Sequence, residues 1–530
     1  MQDGRRGAAR WASRTILVAA LAFAALIPGG AAAAGHARPV IAETDRGLVR
    51  GTVAGAMTEF LGVPYAAAPV GDLRWRPPQP HERWRGVRDA TRFGAHCPQG
   101  ASPFGVASTS EDCLLLNIFA PARRGEDAEH GAPVMLWIHG GALVVGESDD
   151  YDPAMLVARD VVVVTINYRL GALGFLAHPA LAAESAQGSS GNFGLLDQQA
   201  ALRWVRRNIR EFGGDPERVT IFGESAGGLG VHAQLVSPLA HGLFAGAIDE
   251  SGAYMPNQPS LATAEAAGSA FATSAGCAGQ TATCLRGLPV ATILARQTGA
   301  TTSPNVDGVV LPSTIRAALQ SGTFNRVPVI EGSNRDEWRL FVAQAEVVTH
   351  TPLSAAAYVP AIAATLRVPV SVASAIAAAY PLSAFSSPSV ALAAVGTDAI
   401  FACNARTFAG LLSQRVRTFQ YEFDDPNAPM RFLPPVSFPT GAYHASEIQY
   451  LFDLPGAPVP SPGLSADQRR LSRTMVGYWT RFAAVGSPNS EGTPSWPRYD
   501  AAQRFQSLVP GTSTTATGFG AEHNCSLFGG

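Results

Sequence analysis

Residues 218–236, RVTIFGESAGGLGVHAQLV, constrain the fold more than any other stretch of the chain. Val219, Ile221 and Phe222 supply the β-branched and aromatic residues of a short buried strand. Gly223-Glu224-Ser225-Ala226-Gly227 follows, a G-x-S-x-G pentapeptide, and then a helical run. Strand, sharp turn and helix in that order put Ser225 at the turn, in a strained conformation. The glycines two residues to either side let strand and helix pass close together. The helix N-terminus aims its N–H groups at any negative charge that develops at the serine. A glycine-rich turn without chemistry is the plainer reading of the pentapeptide alone. The flanking strand and helix favour nucleophilic catalysis. A serine hydroxyl is a weak nucleophile, so a base must come from elsewhere in the chain.

Around this unit strands and helices alternate. Residues 133–138 (PVMLWI) and 161–167 (VVVVTIN) are apolar runs suited to strands buried on both faces. Residues 194–212 read as an amphipathic helix with Leu195, Leu202, Val205 and Ile209 on one side, stopped by Gly213-Gly214-Asp215-Pro216. Residues 243–249, 327–331 and 416–423 read as strands and 464–484 as a helix; beyond Asn489 a short tail is expected. Proline density makes 39–80 a region of short strands and turns. Residues 253–320 and 352–400 are alanine-rich helical insertions. The pattern is α/β: a large, mostly parallel central sheet flanked by helices, with ligands bound outside the strand C-termini.

A second motif, His139-Gly140-Gly141-Ala142, ends the 133–138 strand. Ester hydrolysis passes through a tetrahedral oxyanion, and each fixed N–H donor to it lowers the barrier by roughly 2.7–4 kcal/mol. Where G-x-S-x-G is paired with an HGGG-type loop, one donor follows the serine and the others come from the loop. Here these are Ala226, Gly141 and Ala142.

A serine hydrolase also needs a histidine to take the serine proton and a carboxylate to orient that histidine. The chain order in this fold class is Ser, then Asp or Glu, then His. His350, His444 and His523 are the candidates, and His444 is favoured because its loop follows a sheet strand. Glu331, Asp336 and Glu337 cluster at one strand end, and pattern does not separate them.

Residues 1–34 have the form of an export signal. Arg5, Arg6, Arg10 and Arg14 precede a short apolar run from Ile16 to Ile27, and small residues follow. A secreted or periplasmic protein is expected, without a stable membrane anchor once the segment is removed, and residues 35–530 are read as one catalytic domain. The net charge is −2 with no basic run in the body, which excludes nucleic acid as an expected partner. Cys97, Cys113, Cys277, Cys284, Cys403 and Cys525 suggest disulfides in an exported chain. Two local loops, Cys97–Cys113 and Cys277–Cys284, are the simplest choice, which leaves Cys403 for Cys525. With no CxxC, and with histidines that do not cluster with the cysteines, no metal is expected.

FLGVPYAAAPVGDLRWRPPQP, EDCLLLNIFAP, WIHGGA, NYRLGALGF, FGGDPERVTIFGESAGG, NRDEW and HASEIQYLF occur in that order. Through them the chain resembles the type-B carboxylesterase/lipase family, which includes cholinesterases and bacterial para-nitrobenzyl-type esterases, over roughly residues 40–525. The resemblance implies an α/β-hydrolase fold whose helical insertions form the pocket. It implies ester hydrolysis through an acyl-enzyme without a cofactor, acting on small-molecule esters; a monomer is expected. It places the nucleophile on Ser225, the acid on Glu337 and the base on His444. It places oxyanion donors on Gly141, Ala142 and Ala226, and the same three disulfides. A salt bridge is implied between Arg74 and Glu111, and Glu224, Ser251 and Glu447 are placed near the histidine. The sequence departs from the family in Leu115, where Tyr or Thr is usual, and in HGGA for HGGG. It also holds no tryptophan between Cys97 and Cys113, so a dedicated choline ester is not expected. Rival expectations are a specialised hydrolase of bulky natural esters or lipids, an amidase, and a catalytically silent binding protein.

Overall fold

The computed structural model describes residues 38–122 and 131–529; the expected export segment lies outside them. The N-terminal edge is a meander, β1 (Arg38–Thr44), β2 (Gly47–Ala54) and β3 (Met57–Pro64), with the short β4 (Val87–Asp89) beside β2. Then come β5 (Leu115–Pro121), β6 (Ala132–Ile138), β7 (Val162–Ile166), β8 (Gly214–Glu224), β9 (Gly246–Glu250), β10 (Val329–Asn334), β11 (Thr418–Phe423), β12 (Phe505–Leu508) and β13 (Thr514–Ala516). All join one 13-stranded sheet in the order β1-β2-β3-β5-β7-β6-β8-β9-β10-β11-β12-β13. The pairs from β7 through β12 are parallel; the edge pairs are antiparallel, apart from β4, which runs parallel to β2. This is the α/β-hydrolase architecture expected from the sequence.

The apolar runs explain the layers. Along β6, Val134, Leu136 and Ile138 face one hydrophobic cluster, and Met135 and Trp137 face the other. A strand with helices on both faces must be apolar at every position, since side chains alternate between faces. The helices Phe193–Asn208 and Ala226–Val236 cover the first face. Ala466–Val485 covers the second, placing Met475, Trp479 and Phe482 in the cluster.

The 194–212 helix is found as Phe193–Asn208 followed by a 3-10 turn, and Gly213 (φ 87) ends it. The two insertions are helical. The stretch Pro388–Ser413 is apolar and long enough to cross a membrane by composition, but 72% of its most apolar 18-residue window is buried inside the protein, as a core helix is. Its middle, Thr397–Ala402, is a π-helix. The tail differs from expectation: beyond Asn489 it adds β12 and β13 to the sheet edge. Three disulfides, Cys97–Cys113, Cys277–Cys284 and Cys403–Cys525, are formed. Arg74 pairs with Glu111 through both carboxylate oxygens (2.7 and 2.5 Å) and also donates to the carbonyls of Arg286 and Leu288.

Candidate active site

Strand β8 delivers the serine. Gly223 is in register with Ile138 of β6, so the chain turns into its helix beside the end of that strand. A Cβ on Gly227 would lie 1.8 Å from the Ile138 carbonyl oxygen, and only glycine tolerates that approach. Ser225 sits at φ 56, ψ −117, a conformation that non-glycine residues adopt only when the surroundings impose it. The imposing contact is its N–H, which donates to the Glu250 carbonyl at 2.8 Å.

The loop after β6 wraps against this turn. Gly141 has φ 97, and Ala142 and Leu143 also have positive φ. The N–H groups of Val144 and Val145 both donate to the Gly141 carbonyl at 3.0 Å. A Cβ on Gly141 would lie 2.0 Å from the Val145 carbonyl oxygen. The N–H groups of Gly141 and Ala142 enter no backbone hydrogen bond among the described residues. Ala226 is the first residue of its helix, so its N–H has no intrahelical acceptor. His139 anchors the loop: its ring stacks on Tyr168 at 4.5 Å and its Nδ1 lies 2.9 Å from the Gly140 carbonyl. Burial pushes its pKa down to about 4, so the ring is neutral.

The three carboxylates that the sequence left undivided have three different partners. Glu337 Oε2 lies 2.6 Å from His444 Nδ1, and its Oε1 accepts the Asn334 N–H at 2.7 Å. Asp336 pairs with Arg339 and accepts the Ala442 N–H, which fixes the loop leading to His444. Glu331 lies 2.9 Å from His232 Nε2, on the far side of the strand. Of the three histidines, His350 caps a helix end and His523 is buried between Asp398 and Glu422.

His444 is 4% exposed, with the rings of Phe341 and Phe401 at 5.2 and 4.9 Å. The π-helical turn carries Phe401 into that contact. His444 Nε2 lies 3.2 Å from Glu224 Oε1, and no hydrogen bond joins it to Ser225 Oγ among the described residues. Catalytic contacts of this kind commonly tighten only when substrate is bound. Glu447 accepts a hydrogen bond from Asn334 Nδ2, and its Oε1 is unpartnered. Ser251 is held through its N–H to the Gly332 carbonyl and makes no hydrogen bond with His444.

A sequence model of the carboxylesterase family matches residues 38–526. The chain belongs to the carboxylesterase family. This carboxylesterase is similar to acylcarnitine hydrolase of Mus musculus, at 38% identity over 87% of this chain and 84% of that protein. It is similar to fumonisin B1 esterase of Sphingopyxis macrogoltabida, at 37% over 87% and 86%. To carboxylesterase 1D of Rattus norvegicus it is 34% identical over 90% of each. It is a carboxylic ester hydrolase.

The carboxylesterase carries a buried acidic layer behind the site; the resemblance placed Glu224 and Glu447 near the histidine, and Glu250 is the member that the sequence did not announce. Glu224, Glu250 and Glu447 lie there with Glu337, and burial raises the first three above the usual carboxyl range, Glu250 to about 8. Glu250 is steadied by the Trp479 indole N–H at 2.7 Å. Deeper lie His232, Asp249 and Glu331, each with no exposed surface and with ligand-type atoms within 4.8 Å of one another. Burial raises both carboxyls and lowers the imidazole, which works against the trio offering an ion two carboxylates. No spacing signal marks the trio, because its members come from a helix and two strands.

Proposed function

We propose that this carboxylesterase is an exported serine hydrolase whose triad is Ser225, His444 and Glu337, working as a monomer on small-molecule esters. Ser225 Oγ attacks the ester carbonyl while His444 Nε2 takes its proton. The carbonyl oxygen becomes an oxyanion that receives the N–H groups of Gly141, Ala142 and Ala226. Glu337 holds the His444 tautomer with the proton on Nδ1 and stabilises the imidazolium. The C–O bond to the alcohol then breaks, and His444 returns the proton to the departing oxygen. Water, deprotonated by His444, attacks the acyl-serine. The acid leaves and Ser225 is restored with its proton.

The observation that carries this reading is the 2.6 Å link between Glu337 and His444, at strand ends beside a serine held in a strained turn. Ser225→Ala is expected to abolish hydrolysis of a short-chain nitrophenyl ester without lowering Tm. An unaltered rate in that variant rejects the assignment. The four arginines, the apolar run and the small residues of 1–34, together with three disulfides, support export. N-terminal sequencing of the mature protein from cell fractions tests that part.

A further inference from the structure

The strained backbone of Ser225 is tied through its N–H, which donates to the Glu250 carbonyl at 2.8 Å. That carbonyl belongs to a second strained turn, Glu250-Ser251-Gly252, in which Ser251 has φ 57. The nucleophile is therefore held no more firmly than this turn is. Two hydrogen bonds hold the turn. The Ser251 N–H donates to the Gly332 carbonyl at 3.0 Å, and the Gly252 N–H donates to Asp249 Oδ2 at 3.1 Å.

Asp249 is wedged where this turn meets the helix that begins after Ser225. A Cβ on Gly228, in the first turn of that helix, would lie 2.4 Å from Asp249 Oδ1, and one on Gly252 would lie 2.1 Å from the same atom. The two glycines leave the space that the carboxyl fills. His232, one helical turn beyond Gly228, faces Asp249 Oδ1 with Nδ1 at 3.5 Å and Glu331 with Nε2 at 2.9 Å. Glu331 is in register with Asp249 on the neighbouring strand, β10. None of the three has any exposed surface. Burying titratable groups in this way is seldom repaid in stability, because apolar side chains of like volume often do as well. What the trio supplies is direction: through one carboxyl it ties the Ser225 helix to the ends of β9 and β10.

We infer that Asp249 is a positioning residue for Ser225: its carboxyl sets the 250–252 turn, and the Glu250 carbonyl of that turn holds the serine N–H. The inference rests on the serine-hydrolase reading above. It concerns the attack by the serine and not the binding of the ester, because Asp249 acts only through backbone. With its Nε2–H donated to Glu331, His232 offers Asp249 a lone pair at Nδ1, and burial favours the protonated form of the Asp249 carboxyl. An amide reproduces that pattern, with an oxygen for the Gly252 N–H and an NH2 group for His232.

The test compares the parent with Asp249→Ala and Asp249→Asn in single turnovers of a short-chain nitrophenyl ester, with enzyme in excess. These read the acylation rate constant and the half-saturation concentration separately. Asp249→Ala is expected to acylate about tenfold to a hundredfold more slowly at an unchanged half-saturation concentration, and Asp249→Asn to stay within about threefold of the parent. Arg74→Ala, destabilised at a staple outside the site, should acylate at the parent's rate per folded molecule, so lost stability alone does not reproduce the effect. Where Asp249→Ala fails to fold, Asp249→Leu, close to aspartate in shape but without an acceptor, takes its place. Acylation by the Ala or Leu variant at the parent's rate overturns the proposal and leaves the hydrolase reading intact. So does an equal loss in Asp249→Asn or in Arg74→Ala. Release of nitrophenol by Ser225→Ala at the parent's rate overturns the hydrolase reading and the proposal with it.

Discussion

His444 Nδ1 lies 2.6 Å from Glu337 Oε2, and the backbone N–H of His444 donates to the Glu337 carbonyl at 3.3 Å. One residue thus holds the other both by the ring and by the chain. Glu337→Gln keeps an acceptor for the Asn334 N–H but removes the charge facing the imidazole. Its kcat is expected to fall by about 10³–10⁴ with little change in Tm. Glu331→Gln, at a carboxyl whose pKa burial raises and which faces His232 rather than His444, should stay within about threefold of the parent. Steady-state kinetics of the two variants side by side decide the assignment. A larger loss from position 331 than from 337 would reverse it.

The oxyanion loop gives a separate test. Gly141→Ala adds a Cβ 2.0 Å from the Val145 carbonyl oxygen at φ 97, so the loop must move. With a donor displaced from the developing charge, kcat should drop by about 10²–10³ while KM changes little. An unchanged kcat would remove Gly141 from the donor set.

Much of this was legible in the sequence, for physical reasons that differ between residues. Ser225 and Gly141 sit in local backbone geometries that demand glycines at fixed offsets, so the motif carries the shape. Glu337, Asp336 and Glu331 lie within one short segment, and only side-chain direction separates them. That direction depends on where β10 ends and on which helix lies beneath it. The family resemblance singled out Glu337, which composition and spacing did not. The strand β12 escaped because four residues with two apolar side chains make no periodic signal.

His523 yields a prediction in stability. Its ring lies 2.6 Å from both Asp398 and Glu422, and these carboxylates raise its pKa to about 10 despite burial. A group whose folded pKa is raised contributes stability that is whole below its unfolded value of about 6.5 and shrinks as pH climbs towards 10. The parent should therefore lose Tm progressively over that window. His523→Gln, which leaves two buried acids without a cation, should be less stable by about 3–5 kcal/mol at pH 6 and show a weaker alkaline decline. Thermal melts across pH measure both slopes; parallel slopes would exclude the charged ring.

Arg74 is a staple of another kind. Its guanidinium satisfies Glu111 and the carbonyls of Arg286 and Leu288, just beyond the second cysteine loop, while itself only 7% exposed. Arg74→Ala leaves these acceptors without a donor and is expected to cost about 3–5 kcal/mol in urea unfolding. Arg74→Lys, which cannot span the fork, should fall between the two.

Strands β8, β9, β10 and β11 are bonded edge to edge, yet between β9 and β10, and again between β10 and β11, the chain leaves the sheet for long helical excursions. Main-chain ladders keep the strand ends that carry Ser225 and lead to Glu337 and His444 in fixed register, whatever length those excursions take. Mutation can therefore lengthen, trim or resculpt the walls over evolutionary time without disturbing the machinery they enclose. The scaffold acts as a chassis, and its substrate range can drift while its chemistry stays put.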